Sequence, residues 1–377
     1  MCVAMVSTFP PDRCGIGRFT WSLAGALNRV PGVSVEIARL VGPFSPPADP
    51  TTPVVMEFDP DSPVSVQVAA RRLGTADAVV VQHEFGIYGG DDGAAVVNLV
   101  DAIAAPVTVV LHTVLPEPSP NQHRIIQALA RSADTLIALS SSAEDLLISR
   151  YSVDPAMVTV IPHGSQWAPL PVVHRPRRNL LTWGLLGPGK GIERAIAAVA
   201  GLRSVRSEVV YRIVGQIHPS VLRHSGQAYR HHLEGLVRNA GLDGQVVFDD
   251  RYQSERDLLG VVADSDIVLL PYDNREQICS GVLTEAVAAG KPVVATAFPH
   301  AIEMLGSGSG FVVDHDHPTA MTDALTTLMT DELAYRRAAG AATQLGTTLS
   351  WDTVAHRYAD LLARQLTSQS NRADVSA

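Results

Sequence analysis

The 377-residue chain is poor in lysine, cysteine and aromatic side chains. Of its 29 Lys and Arg residues only two are lysine, Lys190 and Lys291, so almost all positive charge is guanidinium and each ammonium asks for a reason. Three cysteines, Cys2, Cys14 and Cys279, lie far apart without a C-x-x-C pair. That excludes a disulfide framework and a thiolate zinc site and fits a reducing cytoplasm. Basic charge is not in surplus: the formal net charge is −9, and residues 1–150 carry nine arginines against fifteen carboxylates. A general attraction to nucleic acid or to an anionic membrane face is thereby excluded. No stretch approaches the roughly 18 apolar residues of a membrane span, and the first residues lack the pattern of a secretion signal. The expectation is a cytoplasmic protein without nucleic-acid partner or transmembrane segment, with peripheral membrane contact left open. Metal-ligating side chains do not cluster either. Asp91 and Asp92 are adjacent carboxylates without further ligands, so neither a metal nor a cofactor is expected.

What is present is 46% hydrophobic sequence, enough for two cores of ordinary size. Short β-branched runs alternate with helical patterns almost throughout, the signature of βαβ units and parallel sheets. In the first half strands are expected at 2–7, 33–40, 54–58, 78–82, 106–111, 135–139 and 158–161. The segment 165–178, with Pro169, Pro171 and Pro176, breaks the alternation. A second series follows at 180–186, 209–214, 246–249, 267–271, 292–296 and 311–313. Residues 1–164 and 165–350 thus read as two Rossmann-like, doubly wound parallel-sheet domains. A helical pattern at 351–366 and a loose tail at 367–377 complete the chain. In such sheets ligands bind beyond the carboxyl ends of the strands.

Several strand ends carry chemistry. Gly184-Leu-Leu-Gly-Pro-Gly-Lys190-Gly191 places an ammonium in a glycine-rich turn, where backbone N–H groups can face a phosphate. The turn passes for a nucleotide-triphosphate loop up to its last position, where Gly191 stands instead of the Ser or Thr that would hold magnesium. Lys291, in Ala-Ala-Gly-Lys-Pro, reads as a solvated turn lysine. The loop 8–17 is too long for the G-x-G-x-x-G fingerprint, yet Gly15 and Gly17 open a helix whose amides can meet an anion. In Gln277-Ile-Cys-Ser280-Gly281-Val282-Leu-Thr-Glu285, Ser280 and Gly281 start a helix suited to a diphosphate. Glu285, one turn further in, can accept both hydroxyls of a ribose. His83 and Glu84 follow a strand and are candidates for contact with a second substrate.

Together with Gln82-His83-Glu84-Phe85-Gly86, Leu111-His112-Thr113, Ile161-Pro162-His163-Gly164 and the Pro-Pro-x-Arg-Cys-Gly-Ile loop, these segments resemble the family 4 retaining glycosyltransferases over about residues 3–365. The resemblance implies a GT-B fold, with two Rossmann-like domains facing across a cleft. Residues 1–164 would bind the acceptor, 165–350 the nucleotide-sugar, and the helix 351–366 would pack back on the first domain. It further implies transfer of a hexose from a nucleoside diphosphate sugar, of GDP-mannose or UDP-glucose type, to a hydroxyl of a glycan, lipid-linked or small-molecule acceptor. His112, Lys190 and Glu285 would carry the reaction. Gly15, Ile16, Lys190, Glu276, Gln277, Ser280, Gly281, Val282 and Glu285 would bind the donor, with Lys190 and the amides of Ser280, Gly281 and Val282 on the diphosphate. His83 and Glu84 would serve the acceptor, without a metal. Two departures stand out. The first acid of the family's E-x7-E pattern falls at Gln277, beside Glu276, and the phosphate-binding arginine falls at Leu185, leaving Arg18, Arg212 or Arg275 to replace it. Those departures keep open a glycoside phosphorylase, a nucleotide-sugar epimerase or a non-catalytic binding relative.

Overall fold

The computed structural model describes residues 1–12, 14–42, 45–170, 176–202, 209–251 and 253–376. Arg13 of the first loop and Pro171 of the proline-rich segment lie outside the described residues. Two compact units result: Met1–Gly164 joined by the chain from Trp351 onward, and Ser165–Ser350.

The first unit is built on seven parallel strands: β1 (Cys2–Ser7), β2 (Ser34–Leu40), β3 (Val54–Phe58), β4 (Ala78–His83), β5 (Val107–Leu111), β6 (Thr135–Ala138) and β7 (Val158–Val160). Their order across the sheet is β3-β2-β1-β4-β5-β6-β7. The second unit holds β8 (Asn179–Trp183), β9 (Val210–Val214), β10 (Val246–Asp249), β11 (Ile267–Leu270), β12 (Val293–Thr296) and β13 (Gly310–Val313), in the order β10-β9-β8-β11-β12-β13. Every strand expected from the alternation is present, with ends shifted by no more than three residues.

Both sheets are covered on two faces, which is why their strands read as continuous apolar runs rather than as alternating ones. In the second unit the two cores can be separated. Leu180, Tyr211, Ile213, Ile267 and Leu269 pack into one, while their neighbours Leu181, Trp183, Val214, Val268 and Leu270 pack into the other. The period-two side-chain direction of a strand sorts them.

Strand order has a second consequence. In each sheet the chain winds outward for three strands, then returns beside the first: β1 adjoins β4, and β8 adjoins β11. The loops leaving these strand pairs diverge to opposite faces, opening a crevice at the carboxyl edge. The loops so placed are 8–14 and 84–90 in the first unit, and 184–191 and 271–280 in the second.

The carboxyl-terminal helix runs from Trp351 to Ser376, ten residues beyond its expected end, since no glycine or proline interrupts residues 367–376. It belongs to the first unit. Trp351 packs its ring against Phe19 at 4.9 Å between centroids, Arg357 donates to the Val160 carbonyl at 2.7 Å, and Gln365 bridges Thr108 and Thr135 at 3.0 and 2.8 Å. Tyr358 and Leu362 are fully buried. Gly164 makes this seat: a Cβ there would fall inside the Trp351 indole. Gly164→Ala should therefore push Trp351 off Phe19 and destabilise the first unit by about 1–3 kcal/mol, the usual cost of overpacking. Thermal unfolding followed by tryptophan fluorescence should show a lower Tm, and an unchanged Tm would contradict this account.

Candidate active site

Lys190 sits in the crevice of the second unit. Gly187 accepts from the Lys190 amide at 3.1 Å, and Gly189 accepts from the Asp273 amide at 3.0 Å, so the loop after β8 is tied to the segment after β11. Gly191, with φ +62, closes the loop and begins the helix Ile192–Gly201; a Cβ there would lie inside the Pro271 carbonyl oxygen. This is why a glycine occupies the position that a nucleotide-triphosphate loop gives to Ser or Thr. The Lys190 ammonium lies 4.4 Å from the centre of the Tyr272 ring. No carboxylate among the described residues neutralises it, and burial lowers its pKa below the usual lysine value. A half-buried ammonium without a counterion is a site that gains by taking up an anion.

Tyr272 connects the ammonium to the next element. Its phenol is pushed up to about 12 by burial, opposed by a hydrogen bond with the Ser280 side chain and reinforced by the Glu285 charge. Ser280 caps the helix Gly281–Ala288, its hydroxyl accepting from the Leu283 amide at 3.2 Å. The amide of Ser280 itself donates to Nδ1 of the buried His300 at 2.9 Å. The first helical amides, Gly281 and Val282, have no intrahelical acceptor; the expected contribution of the Ser280 amide is corrected, because His300 already occupies it. Glu285 accepts from the Trp183 indole at 3.3 Å, which joins the last residue of β8 to the helix. Gly184, the next residue, has φ +120, and a Cβ on it would touch Val282 at 3.7 Å.

The two departures also find their places. Gln277 turns its amide onto its own loop, donating to the Cys279 carbonyl at 2.9 Å. Glu276 is exposed, its backbone N–H held by Asn274 at 2.9 Å. Leu185 is exposed, Arg275 pairs with Asp316 at 2.5 Å, and Arg212 lies mid-strand in β9. Arg194, which sequence reasoning missed, is nearer the lysine loop. It donates to the His315 carbonyl at 2.7 Å and reaches Asp273 at 3.4 Å. The Cys279 thiol is pushed up to about 12 by burial and by Glu303. Lys291 is no solvated turn residue: it is buried, and its ammonium donates to the carbonyls of Ala263 and Ser265 at 3.0 and 2.7 Å, closing the end of the helix Glu255–Asp264.

In the first unit, Gly15 and Ile16 start the helix Gly15–Leu27, and Cys14 provides no side-chain cap for it. The loop before them is held by Arg39 at the end of β2. That guanidinium is fully buried and donates to Asp12 at 2.9 Å, Glu57 at 2.6 Å and the Pro46 carbonyl at 2.9 Å. A buried charge with its donors satisfied on three sides is rigid, because losing one partner leaves it uncompensated. The sequence signal for it was a lone arginine between buried Ala38 and Leu40.

Phe19 is the hub of the same edge. His112, His163 and Trp351 each meet it edge-to-face at 4.7–5.0 Å. Burial lowers His112 to about 3 and His163 to about 4, with Arg18 opposing the charge on His163 and His163 that on His112. Nε2 of His112 lies 2.8 Å from Oε1 of Gln82. His83 is not at a solvent-facing strand end as expected. It is the last residue of β4, fully buried against Phe85, since the ladder continues through the His112 amide to the His83 carbonyl at 3.0 Å. The Glu84 carboxylate is taken up by the Thr113 hydroxyl at 2.5 Å and the Phe85 amide at 3.0 Å. Asp92 accepts from Ser119 and Asn121, and no group of metal-ligating side chains occurs among the described residues.

Two doubly wound parallel sheets, each with glycine-rich or helix-opening loops at its switch point, define the GT-B class. Residues 174–345 match the family of Glycosyl transferases group 1, and residues 14–165 match Glycosyltransferase Family 4. The chain belongs to the family 4 glycosyltransferases. The D-inositol 3-phosphate glycosyltransferase of Corynebacterium glutamicum is 30% identical over 62% of this chain and 58% of that protein. The phosphatidyl-myo-inositol mannosyltransferase of Propionibacterium freudenreichii is 30% identical over 55% of this chain and 50% of that protein. The match thus spans less than two thirds of the length of these relatives. Among solved structures, Anabaena HepE in complex with UDP shares the fold with a TM-score of 0.76 at 17% identity, covering 97% of this chain and 100% of that one. No helix among the described residues is long and apolar enough to cross a membrane.

Two outcomes are expected from this geometry. The folded values of His83, His112 and His163 all lie below the ordinary 6.5, at about 3, 3 and 4. As pH falls from 6.5 towards 3 the unfolded chain takes up protons that the folded unit refuses, so stability is intact above 6.5 and declines below it. Tm measured from pH 8 to pH 4 should fall on the acid side, and His83→Leu should make that decline shallower; parallel curves would contradict the assignment. Gly191→Ser, which completes the sequence of a nucleotide-triphosphate loop, should instead displace Pro271 and Tyr272, lowering both Tm and affinity for nucleoside diphosphate. A gain of magnesium-dependent nucleotide binding would overturn the steric argument.

Proposed function

We propose that the protein transfers a hexosyl group from a nucleoside diphosphate sugar to an acceptor hydroxyl with retention at the anomeric carbon. The observation that carries this reading is the Lys190 ammonium, without a counterion among the described residues, set against Tyr272, which bonds the Ser280 cap of the helix that begins with the Gly281 and Val282 amides. A diphosphate satisfies both at once. Its charge offsets the burial that lowers the lysine pKa, and its oxygens accept from amides that the helix cannot use. Glu285, oriented by Trp183, takes the two ribose hydroxyls of the nucleoside. The membership in family 4 and the UDP and UDP-glucose bound by HepE support a nucleotide-sugar donor, with GDP-mannose and UDP-glucose as the two types to compare.

The chemistry follows from where charge develops. The bond from the anomeric carbon to the β-phosphate oxygen breaks, and that oxygen gathers negative charge next to Lys190 and the helix start. The acceptor oxygen forms its bond on the same face, and its proton passes to the leaving phosphate. Fixed donors aimed at a departing oxyanion lower the barrier without reorganising. On this reading no metal is required, because the ammonium and the two amides supply the positive potential. By the family resemblance Gly15 and Ile16, at a helix start, serve the donor phosphate and neutral His112 the transferred sugar. One N–H of Gln277 holds the Cys279 carbonyl, which leaves its other N–H and its oxygen for a hexose hydroxyl; Glu276 is the exposed carboxylate beside it. His83 is buried, so of the pair expected at the acceptor Glu84 is the one within reach. The acceptor is a glycan, a lipid-linked sugar or a small molecule, and the three free thiols suit a cytoplasmic setting.

Lys190→Ala and Glu285→Ala each remove a charged contact of about 1.5–3 kcal/mol, so turnover should fall by roughly tenfold or more. Product formation from UDP-glucose and GDP-mannose, with the anomeric configuration read by proton NMR, checks both the rate and the retention. Wild-type rates in either variant, or an inverted product, would defeat the proposal. Consumption of sugar only when inorganic phosphate replaces the nucleotide would point to a phosphorylase.

A further inference from the structure

Gln82 is a buried amide where the strand has no structural use for one. Its strand, Ala-Val-Val-Val-Gln-His, is buried from end to end between β1 and β5, and Gln82 is fully buried. A carboxamide in such a place is costly unless both its ends are bonded, and only one end is. Oε1 lies 2.8 Å from Nε2 of His112, while Nε2 has no partner among the described residues.

We propose that Gln82 is a positioning residue that holds His112 as the neutral Nε2–H tautomer, so that Nδ1 is left as a lone-pair acceptor for a hydroxyl of the transferred sugar. This rests on the reading of His112 as a donor-sugar contact. The ladder sets the pair: Gln82 is in register with Val110 and His83 with Leu111, and the His112 amide bonds the His83 carbonyl. The Gln82 carbonyl is in turn fixed by the Tyr88 hydroxyl at 2.8 Å. Phe19, edge-on at 86°, keeps the His112 ring from turning. A carboxamide oxygen can only accept, so the imidazole nitrogen facing it must carry the proton. The surroundings keep the ring from taking a second one. Burial and the neighbouring His163 and His83 all disfavour the imidazolium. Nδ1 makes no bond with any described residue and can therefore receive an O–H. The reversed amide would present Nε2–H to the ring and force the opposite tautomer, and the two arrangements are separable by measurement.

The experiment is a two-bond nitrogen–proton correlation of the histidine rings in the 15N-labelled full chain at pH 7, with His112 assigned from His112→Gln. The wild type should show His112 as Nε2–H. Gln82→Leu, of similar size but with no acceptor, should move it towards Nδ1–H or an averaged signal. Gln82→Glu keeps an acceptor and adds charge; it should retain Nε2–H and raise the pH at which the ring titrates. Transfer kcat should fall about tenfold in Gln82→Leu and recover in part in Gln82→Glu at neutral pH, with the donor KM little changed. A wild-type Nδ1–H ring, or the same tautomer in Gln82→Leu as in the wild type, overturns the proposal whatever the activity. If Gln82→Leu does not fold, the titration of Gln82→Glu decides: a ring that titrates no higher than in the wild type also overturns it. Should the tautomer follow Gln82 while His112→Gln transfers sugar at the wild-type rate, the positioning stands and the role of His112 in transfer falls.

Discussion

The Lys190 ammonium is kept part-way out of water, against the face of Tyr272, with no carboxylate among the described residues to answer it. Such a charge is tolerated because the aromatic quadrupole and partial solvent contact hold it until an anion arrives. Around it, the backbone has been given up to close approach. Gly184, Gly189 and Gly191 all take positive φ, and Gly191 lets the loop pass against the Pro271 carbonyl. Tyr272 is itself fixed from behind, its carbonyl accepting from Thr296 at 2.6 Å and lying 3.0 Å from His315. The position of one ammonium thus depends on strands β8, β11 and β12 being in place.

The other lysine shows how little residue type alone decides. Lys291 carries the same group, yet its charge is spent on two carbonyls at a helix end, where the partial negative charge of the peptide dipoles favours it. Ser280 makes a related point. Its hydroxyl caps the helix, and its amide is claimed by His300, so fewer amides are left over at that helix start than its sequence suggests. The family's arginine and first acid are replaced by an exposed leucine and by a glutamine folded onto its own loop.

The first unit is organised on the opposite principle. At its carboxyl edge His112 and His163 meet Phe19 and His83 meets Phe85, and burial disfavours charge on each. The buried permanent charge of this unit, Arg39, is enclosed by Asp12 and Glu57, where it secures the loop leading to Gly15. The helix from Trp351 completes this edge by placing an indole on Phe19 and His163.

Local pattern was sufficient for the elements. Strand spans, helix starts and the glycine-bearing turns follow from β-branched runs, capping residues and backbone steric limits, all of which act within a few residues. The Lys190 loop, the Ser280 cap and the position of Glu285 were legible for that reason. What only the tertiary structure decided is everything that depends on which strands are neighbours. The return of β4 beside β1 and of β11 beside β8, the burial of His83 within a ladder, the Arg39 ion pairs, the Lys291 clamp and the Gln82–His112 bond join residues 18 to 87 positions apart. Pairing across a sheet is set by the summed burial of both faces and by the hydrogen-bond ladder, and neither quantity is written in the residues of a single segment.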